Sequence, residues 1–244
     1  MIKNYDQFLK YGAISLITTV LFVPTINISL AQETQGVQGK VDFFAVGEKP
    51  FGRGYEDYVK DYWKLFLSIP ADSNPFEDQT GEKCTYGQNN TKNVFFLTGN
   101  SGGKTVKNCQ IPAGLSLLIP IITVEASQAE TPGATIDELH KIAKNDQDHV
   151  TSLYLKINGT EITHDDLLKY RIHTGDFDIE FPDNAIFGAG AGPSKAVADG
   201  YYVITKPLSP GAYNIEFSGS IACLGADCVE PSFITHNIYN LVVK

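Results

Sequence analysis

Short segments of strand-forming residues recur along most of this sequence, and turn residues separate them. Thr105–Ile111 and Asp176–Phe181 alternate apolar and polar residues, which is the pattern of a half-buried β-strand. The 22 glycines and 12 prolines suit many turns between short strands. We therefore predict a mainly β fold, an immunoglobulin-like or jelly-roll β-sandwich with a few short inserted helices. Further strands are predicted at Val41–Val46, Tyr201–Thr205, Ala212–Ser218 and Ser232–Val243.

One segment lacks the alternation. Leu115–Val124 is apolar on both faces and is interrupted by Pro120, which predicts a central, buried strand. The glycine-rich segment Gly99–Gly103 has no strand–turn–helix context, so we interpret it as a hairpin turn rather than a phosphate loop. It would join a strand at Val94–Leu97 to the strand at Thr105–Ile111.

Two helices and one hairpin have clear local signals. Apolar residues recur at helical spacing in Gly54–Ile69, and acidic residues in the first turn support a second helix at Thr135–Lys144. Asn158-Gly159 is the strongest two-residue hairpin signal, and it separates the predicted strands Ser152–Ile157 and Thr160–Ile162.

The N-terminus has the organisation of an export signal. Lys3 and Lys10 give the N-terminus a positive charge, and they precede Gly12–Val23, an apolar stretch shorter than the about 20 residues that span a bilayer. Ser29 and Ala31 are small residues at the positions that a signal peptidase reads. We expect residues 1–31 to be a cleavable signal peptide, with a buried core helix as the alternative, and residues 32–244 to be a single domain. The mature protein would be secreted or extracytoplasmic, and association with the cell surface is compatible with this prediction. It would have no integral membrane span.

Charge and cysteine usage fit an exported protein. The formal net charge of −9 disfavours nucleic acid and anionic lipid as partners. The four cysteines favour two disulfides, Cys84–Cys109 and Cys223–Cys228, because an exported chain meets an oxidising environment. A zinc site is the alternative, but the cysteine spacings lack nearby paired histidines.

Several motifs mark a resemblance to a family. They include YWKLFLSIP, NPFEDQTGEKC, NVFFLTG, NCQIPAG and ADGYYVITKPLSPGAYNIEFSG. Together they span most of the predicted mature chain and resemble a widespread set of uncharacterised secreted prokaryotic proteins. Members typically have a histidine where Tyr213 stands here. The resemblance implies secretion and no assigned activity, so it supplies no catalytic or ligand-binding residues.

Three alternating acids form the first candidate site. Asp176, Asp178 and Glu180 would lie on one face of a strand, and calcium prefers such carboxylate oxygens. The alternative is a solvated outer face of the sheet, because successive carboxylates on a strand lie roughly 7 Å apart. We predict no cofactor, with calcium as the possible exception.

Carboxylates near Trp63 form the second candidate site. Asp78 and Glu82 are the candidate catalytic residues of a glycosidase-like reaction, and Trp63 is a possible ligand platform. The alternative for Trp63 is core packing, since its neighbours on the helix face are apolar. Acids at Asp57, Asp61 and Glu77 surround the same segment.

The remaining motifs are weaker. The five histidines are scattered without metal-site spacing, and no serine lies in a hydrolase elbow. Asn89 and Asn158 begin glycosylation sequons at predicted turns. We therefore expect a non-catalytic binding module, with carbohydrate or a cell-envelope component as the possible partner. The alternative is a secreted carboxylate-dependent hydrolase such as a glycosidase.

Overall fold

The computed structural model describes residues 41–88, 91–222 and 233–244, and within them ten strands form two mixed sheets. The predicted signal peptide and the Cys223–Cys228 pair lie outside the described residues. Sheet 1 contains β1 (Val94–Phe96), β3 (Ser116–Ser127), β6 (Arg171–His173), β7 (Phe177–Phe181) and β8 (Gly192–Ile204). Sheet 2 contains β2 (Gly103–Ile111), β4 (Val150–Ile157), β5 (Thr160–Ile162), β9 (Gly211–Ile221) and β10 (Phe233–Val243). The fold is a β-sandwich with few helices, as the sequence predicts.

Sheet 1 is built around two long strands. β3 pairs in parallel with β1 on one side and antiparallel with β8 on the other, which confirms the central position predicted for this segment. A register shift between Pro120 and Ile122 accommodates the proline, which lacks the N–H that a regular ladder requires. The short strands β6 and β7 pair with successive parts of β8. No pattern in the sequence predicts β6, which has only three residues.

Sheet 2 has the order β2-β10-β9-β4-β5. Its edge strand β2 runs parallel to β10, and the other neighbours are antiparallel. The hairpin interpretation of Gly99–Gly103 is therefore wrong. β1 and β2 lie in different sheets, and each pairs in parallel with a later strand, so the segment between them crosses from one sheet to the other. Alternation identifies a strand but not its partner.

The prediction of a strand at the start of the domain is also wrong. Val41–Val46 contributes a single bridge, between Phe43 and Thr205, rather than a strand. Its backbone still joins the fold through a hydrogen bond from the Phe44 amide to the Ile204 carbonyl, 2.9 Å long. Hydrophobic residues hold the segment against the core without a full ladder.

Three α-helices lie among the described residues: α1 (Tyr55–Leu67), α2 (Ile136–Asp148) and α3 (His164–Leu168). α1 packs its aromatic face on β6, β7 and β8, and α2 packs on β3 and β8. A capping box begins α2, because the Thr135 hydroxyl accepts from the Glu138 amide and the Glu138 carboxylate accepts from the Thr135 amide. None of these helices is long and apolar enough to cross a membrane.

A disulfide joins the loop after α1 to sheet 2. Cys84 and Cys109 are bonded, with their Cα atoms 6.0 Å apart, which confirms the predicted pair. Both cysteines are buried, and Cys109 lies on β2. The bridge therefore fixes an irregular loop to an edge strand.

Candidate functional site

Asp78, a predicted catalytic residue, is buried and organises its own loop. Its carboxylate accepts hydrogen bonds from the amides of Thr80, Gly81 and Lys83 at 2.8–3.0 Å, and from the Thr80 hydroxyl. Burial favours the neutral acid, but these donors together outweigh it and hold the pKa of Asp78 below its ordinary value. Asp78 is thus an ionised anchor for the loop. Glu82 is exposed on the same loop.

Trp63, the possible ligand platform, lies in the core. Its side chain is buried, its indole N–H donates to the Tyr202 hydroxyl at 2.8 Å, and its ring stacks on Phe76. No open ring face remains for a ligand, so the platform hypothesis is wrong for this residue. The nearby acids also have partners in the fold: Asp57 accepts from the Gly54 amide that begins α1, and Asp61 pairs with Arg53.

The three alternating acids lie on the exposed side of β7 and the residue before it. Lys195 on β8 lies between two of them, with its ammonium 3.1 Å from Asp176 and 2.9 Å from Asp178. This cation holds the pKa of Asp176 below its ordinary value. Among the described residues, no group of three or more His, Cys, Asp or Glu side chains is arranged to hold a metal. Calcium binding at Asp176, Asp178 and Glu180 would have to displace Lys195.

The Asn158 sequon lies at the exposed tip of the β4–β5 hairpin. Asn158 has a φ of 49°, a left-handed conformation that asparagine tolerates in such turns. Its side-chain oxygen accepts a hydrogen bond from the Asn214 amide at 2.8 Å. Glycosylation at this turn stays a prediction, and Asn89 lies outside the described residues.

Four exposed asparagines cross the outer face of sheet 2, and we name them the amide row: Asn108, Asn240, Asn214 and Asn158. Asn240 on β10 lies opposite both Asn108 on β2 and Asn214 on β9. The Asn240 side-chain NH₂ donates to the Asn108 oxygen at 3.0 Å, and the Asn214 NH₂ donates to the Asn240 oxygen at 3.1 Å. Since neighbouring strands lie about 4.8 Å apart, the row presents a line of fixed amides roughly 15 Å long.

The same face carries groups of both charges beside the amide row. A second row of outward-facing residues lies next to the amide row, two residues along each strand. It contains Val106 on β2, Ile238 on β10, Glu216 on β9 and Lys156 on β4. The His236 ring nitrogen lies 2.8 Å from a Glu216 oxygen. Tyr154 on β4 is half-buried; desolvation, with the nearby acids Glu216 and Glu161, raises the pKa of its hydroxyl, so the phenol is neutral. The face therefore combines amides, one aromatic ring and balanced charges.

A small cavity lies elsewhere, between the inner side of β4 and Val203 of β8. Its volume is about 310 Å³, at the lower end of the range for small-molecule pockets. Apolar side chains such as Leu155 and Ile157 line it, and Glu161 and Lys169 add charged groups. Part of its wall is the segment that begins at Val41.

A pair of carboxyl groups meets at the end of β3, and the sequence analysis missed it. Glu125 is 8% exposed, and neither of its carboxyl oxygens has a hydrogen-bond partner among the described residues. Glu130 accepts from the Ser127 hydroxyl at 2.7 Å. Burial, reinforced by the neighbouring Glu130, raises the pKa of Glu125 well above its ordinary value. The apolar pattern predicts the strand only to Val124, so nothing in it marks Glu125 as inward-facing.

A partly buried ion pair lies at the junction of α2, β6 and β8. Arg171 forms two hydrogen bonds to the carboxylate of Asp199, at 2.9 and 2.8 Å, and one to Asp148 at 2.8 Å. His173 is 3.3 Å from the same Asp199 carboxylate, and its ring neighbours that of His140. Sequence spacing could not reveal this cluster, because the fold brings together residues from three separate elements.

Comparisons with known proteins add little. No family model matches the chain, and no curated protein matches it. A solved structure titled "Structure of PbICP-C in complex with falcipain-2" aligns with 62% of this chain and 99% of its own, at 15% identity and a TM-score of 0.24. A similarity that weak carries no argument about this protein.

Proposed function

We propose that this protein is a non-catalytic, secreted or cell-surface binding module whose ligand is a neutral polysaccharide, such as a glycan of the cell envelope. The amide row on the outer face of sheet 2 is the observation that carries the proposal. The binding surface is that face, and the two longer helices pack on the other sheet.

Hydrogen-bonding chemistry supports a sugar ligand. A sugar hydroxyl both donates and accepts, and an amide side chain offers two N–H groups and a carbonyl oxygen. The bonds between neighbouring side chains use one N–H each of Asn214 and Asn240, so each keeps a second N–H for a ligand. Because those bonds already hold the side chains in place, binding would cost less side-chain entropy.

Charge favours a neutral ligand over an anionic one. Lys104 and Lys156 on the face are balanced by Glu161 and Glu216, while the whole chain has a net charge of −9. A polyanion would therefore be repelled at longer range. Tyr154 supplies an aromatic surface of the kind that amphipathic sugar rings contact.

The test is binding of the purified protein to a glycan array and to isolated envelope polysaccharide. The double variant N214A/N240A should weaken binding at least tenfold, because it removes two adjacent amides. The matched control is N145A, an exposed asparagine on α2, which should bind as the wild type does. Binding to no glycan, or equal loss in the control, would refute the proposal.

The second candidate function is a secreted carboxylate-dependent hydrolase, and the carboxyl pair Glu125 and Glu130 favours it. A carboxyl whose pKa is raised by burial, beside a second carboxyl, is a candidate general acid. Release of reducing ends from the polysaccharide that the protein binds, lost in E130Q, would support this function. Binding without any cleavage would favour the non-catalytic module.

A further inference from the structure

Two histidines that are distant in sequence lie side by side at the surface. His140 is on α2 and His173 is on β6, and their ring centroids are 4.8 Å apart with an angle of 47° between the ring planes. His173 is 45% exposed, so a small ion can reach the pair from solvent. Like α2 and β6 themselves, the pair belongs to the sheet 1 side of the molecule, away from the amide row.

A buried carboxylate orients one of the two rings. Asp199 is 1% exposed, its two bonds from Arg171 hold it in place, and one of its oxygens is 3.3 Å from His173 Nδ1. An acceptor there favours the tautomer with a proton on Nδ1, which leaves the lone pair on Nε2. Metal-binding histidines commonly have this arrangement, in which a carboxylate fixes the ring and raises its basicity.

The spacing of the rings suits one shared ion. An imidazole nitrogen lies about 2.0 Å from a bound zinc, so two rings on the same ion have centroids roughly 4.5–5.3 Å apart. The observed 4.8 Å lies within this range. In addition, His140 Nδ1 is buried and has no hydrogen-bond partner among the described residues.

We propose that His140 and His173 bind one divalent transition-metal ion, with Asp199 as the positioning residue for His173. Two imidazoles select copper, nickel or zinc over calcium and magnesium, and copper(II) should bind most tightly. Water would complete the coordination, so the ion would exchange readily. The proposed ligands do not include the Asp176 acids considered for calcium, and the site does not depend on the proposed polysaccharide binding.

The experiment uses the full chain without a polyhistidine tag. We expect calorimetry with copper(II) to show one tight site, and electron paramagnetic resonance to show hyperfine coupling from two imidazole nitrogens. H140A and H173A should each weaken copper binding at least tenfold. The matched control H149A removes a histidine whose ring bonds to its own helix, and it should bind copper as the wild type does.

The role of Asp199 has a separate readout. D199N should weaken copper binding about 10- to 100-fold while the two-nitrogen signature persists, because Asp199 orients a ligand and is not one. If D199N does not fold, as circular dichroism would show, the H140A and H173A measurements decide the proposal alone. Copper binding unchanged in both histidine variants, equally weakened in H149A, or absent from the wild type would overturn it.

Discussion

At the scale of single residues, buried polar groups distinguish this core from a simple hydrophobic one. Lys107 on β2 is 1% exposed, and its ammonium donates to the Pro75 and Gly99 carbonyls and to the Thr98 hydroxyl. Burial lowers its pKa to about 8. Three acceptors satisfy all three N–H groups, so Lys107 anchors two loops to the edge of sheet 2.

Glu125 contributes to the stability of the fold in a pH-dependent way, and a single substitution tests this contribution. A carboxyl whose pKa is raised by folding stabilises the fold below its unfolded pKa, near 4.5, and this stability is lost as the pH rises above that value. E125Q keeps the shape but never ionises. We expect it to raise the melting temperature at pH 7 and to leave it nearly unchanged at pH 4.

Melting curves of wild type and E125Q at both pH values check this expectation. E180Q is the matched control, because Glu180 is exposed on β7, and it should change neither curve. A lower melting temperature for E125Q than for the wild type at pH 7 would contradict a raised pKa of Glu125.

At the scale of elements, the two sheets approach each other closely where a glycine on one faces a branched side chain on the other. A Cβ added to Gly219 on β9 would lie 2.6 Å from Ile122 Cβ on β3, closer than real contacts allow. The absence of a side chain at this position lets sheet 2 pack on the central strand of sheet 1.

We predict that G219A destabilises the protein by about 1–3 kcal/mol, because the sheets must separate or Ile122 must leave its preferred conformation. Urea unfolding of the purified protein measures this change. G47A is the control, since a Cβ at Gly47 meets nothing within 4 Å, and it should be nearly neutral. Equal stability of G219A and wild type would contradict this prediction, because it would show that the two sheets accommodate the added methyl group without cost.

At the scale of the whole molecule, the Cys84–Cys109 bridge closes a loop with a sequence separation of 25. The enclosed segment contains β1, the crossing segment after it and most of β2, and the loop that Asp78 organises lies just before Cys84. A crosslink across such a loop stabilises chiefly by restricting the unfolded chain.

C84S should therefore lower the free energy of unfolding by about 3–4 kcal/mol on the chain-entropy model. Urea unfolding under non-reducing conditions measures it, and C109S should match it because both variants lose the same bridge. A C84S variant as stable as the wild type would contradict the model. Reducing agent should bring the wild type toward the variants.

The sequence by itself determined the features that depend on neighbouring residues. The Asn158-Gly159 turn, the start of the helix that has acids in its first turn and the buried strand around Pro120 all lie where their local patterns predict. In each case the stabilising contact, or the continuous burial that marks the strand, spans only a few residues along the chain. The sequence also favoured the Cys84–Cys109 pair among the three pairings that four cysteines allow, and the structure contains it.

Only the tertiary structure decided which distant residues meet. Segments that are far apart in sequence meet where β2 pairs in parallel with β10 and where His140 contacts His173. The inward position of Lys107 likewise depends on how the sheets pack. Alternation shows that a strand has two faces, but the burial of the whole sheet decides which face points inward. The amide row has the same origin, because its asparagines become neighbours only when four segments align in one sheet.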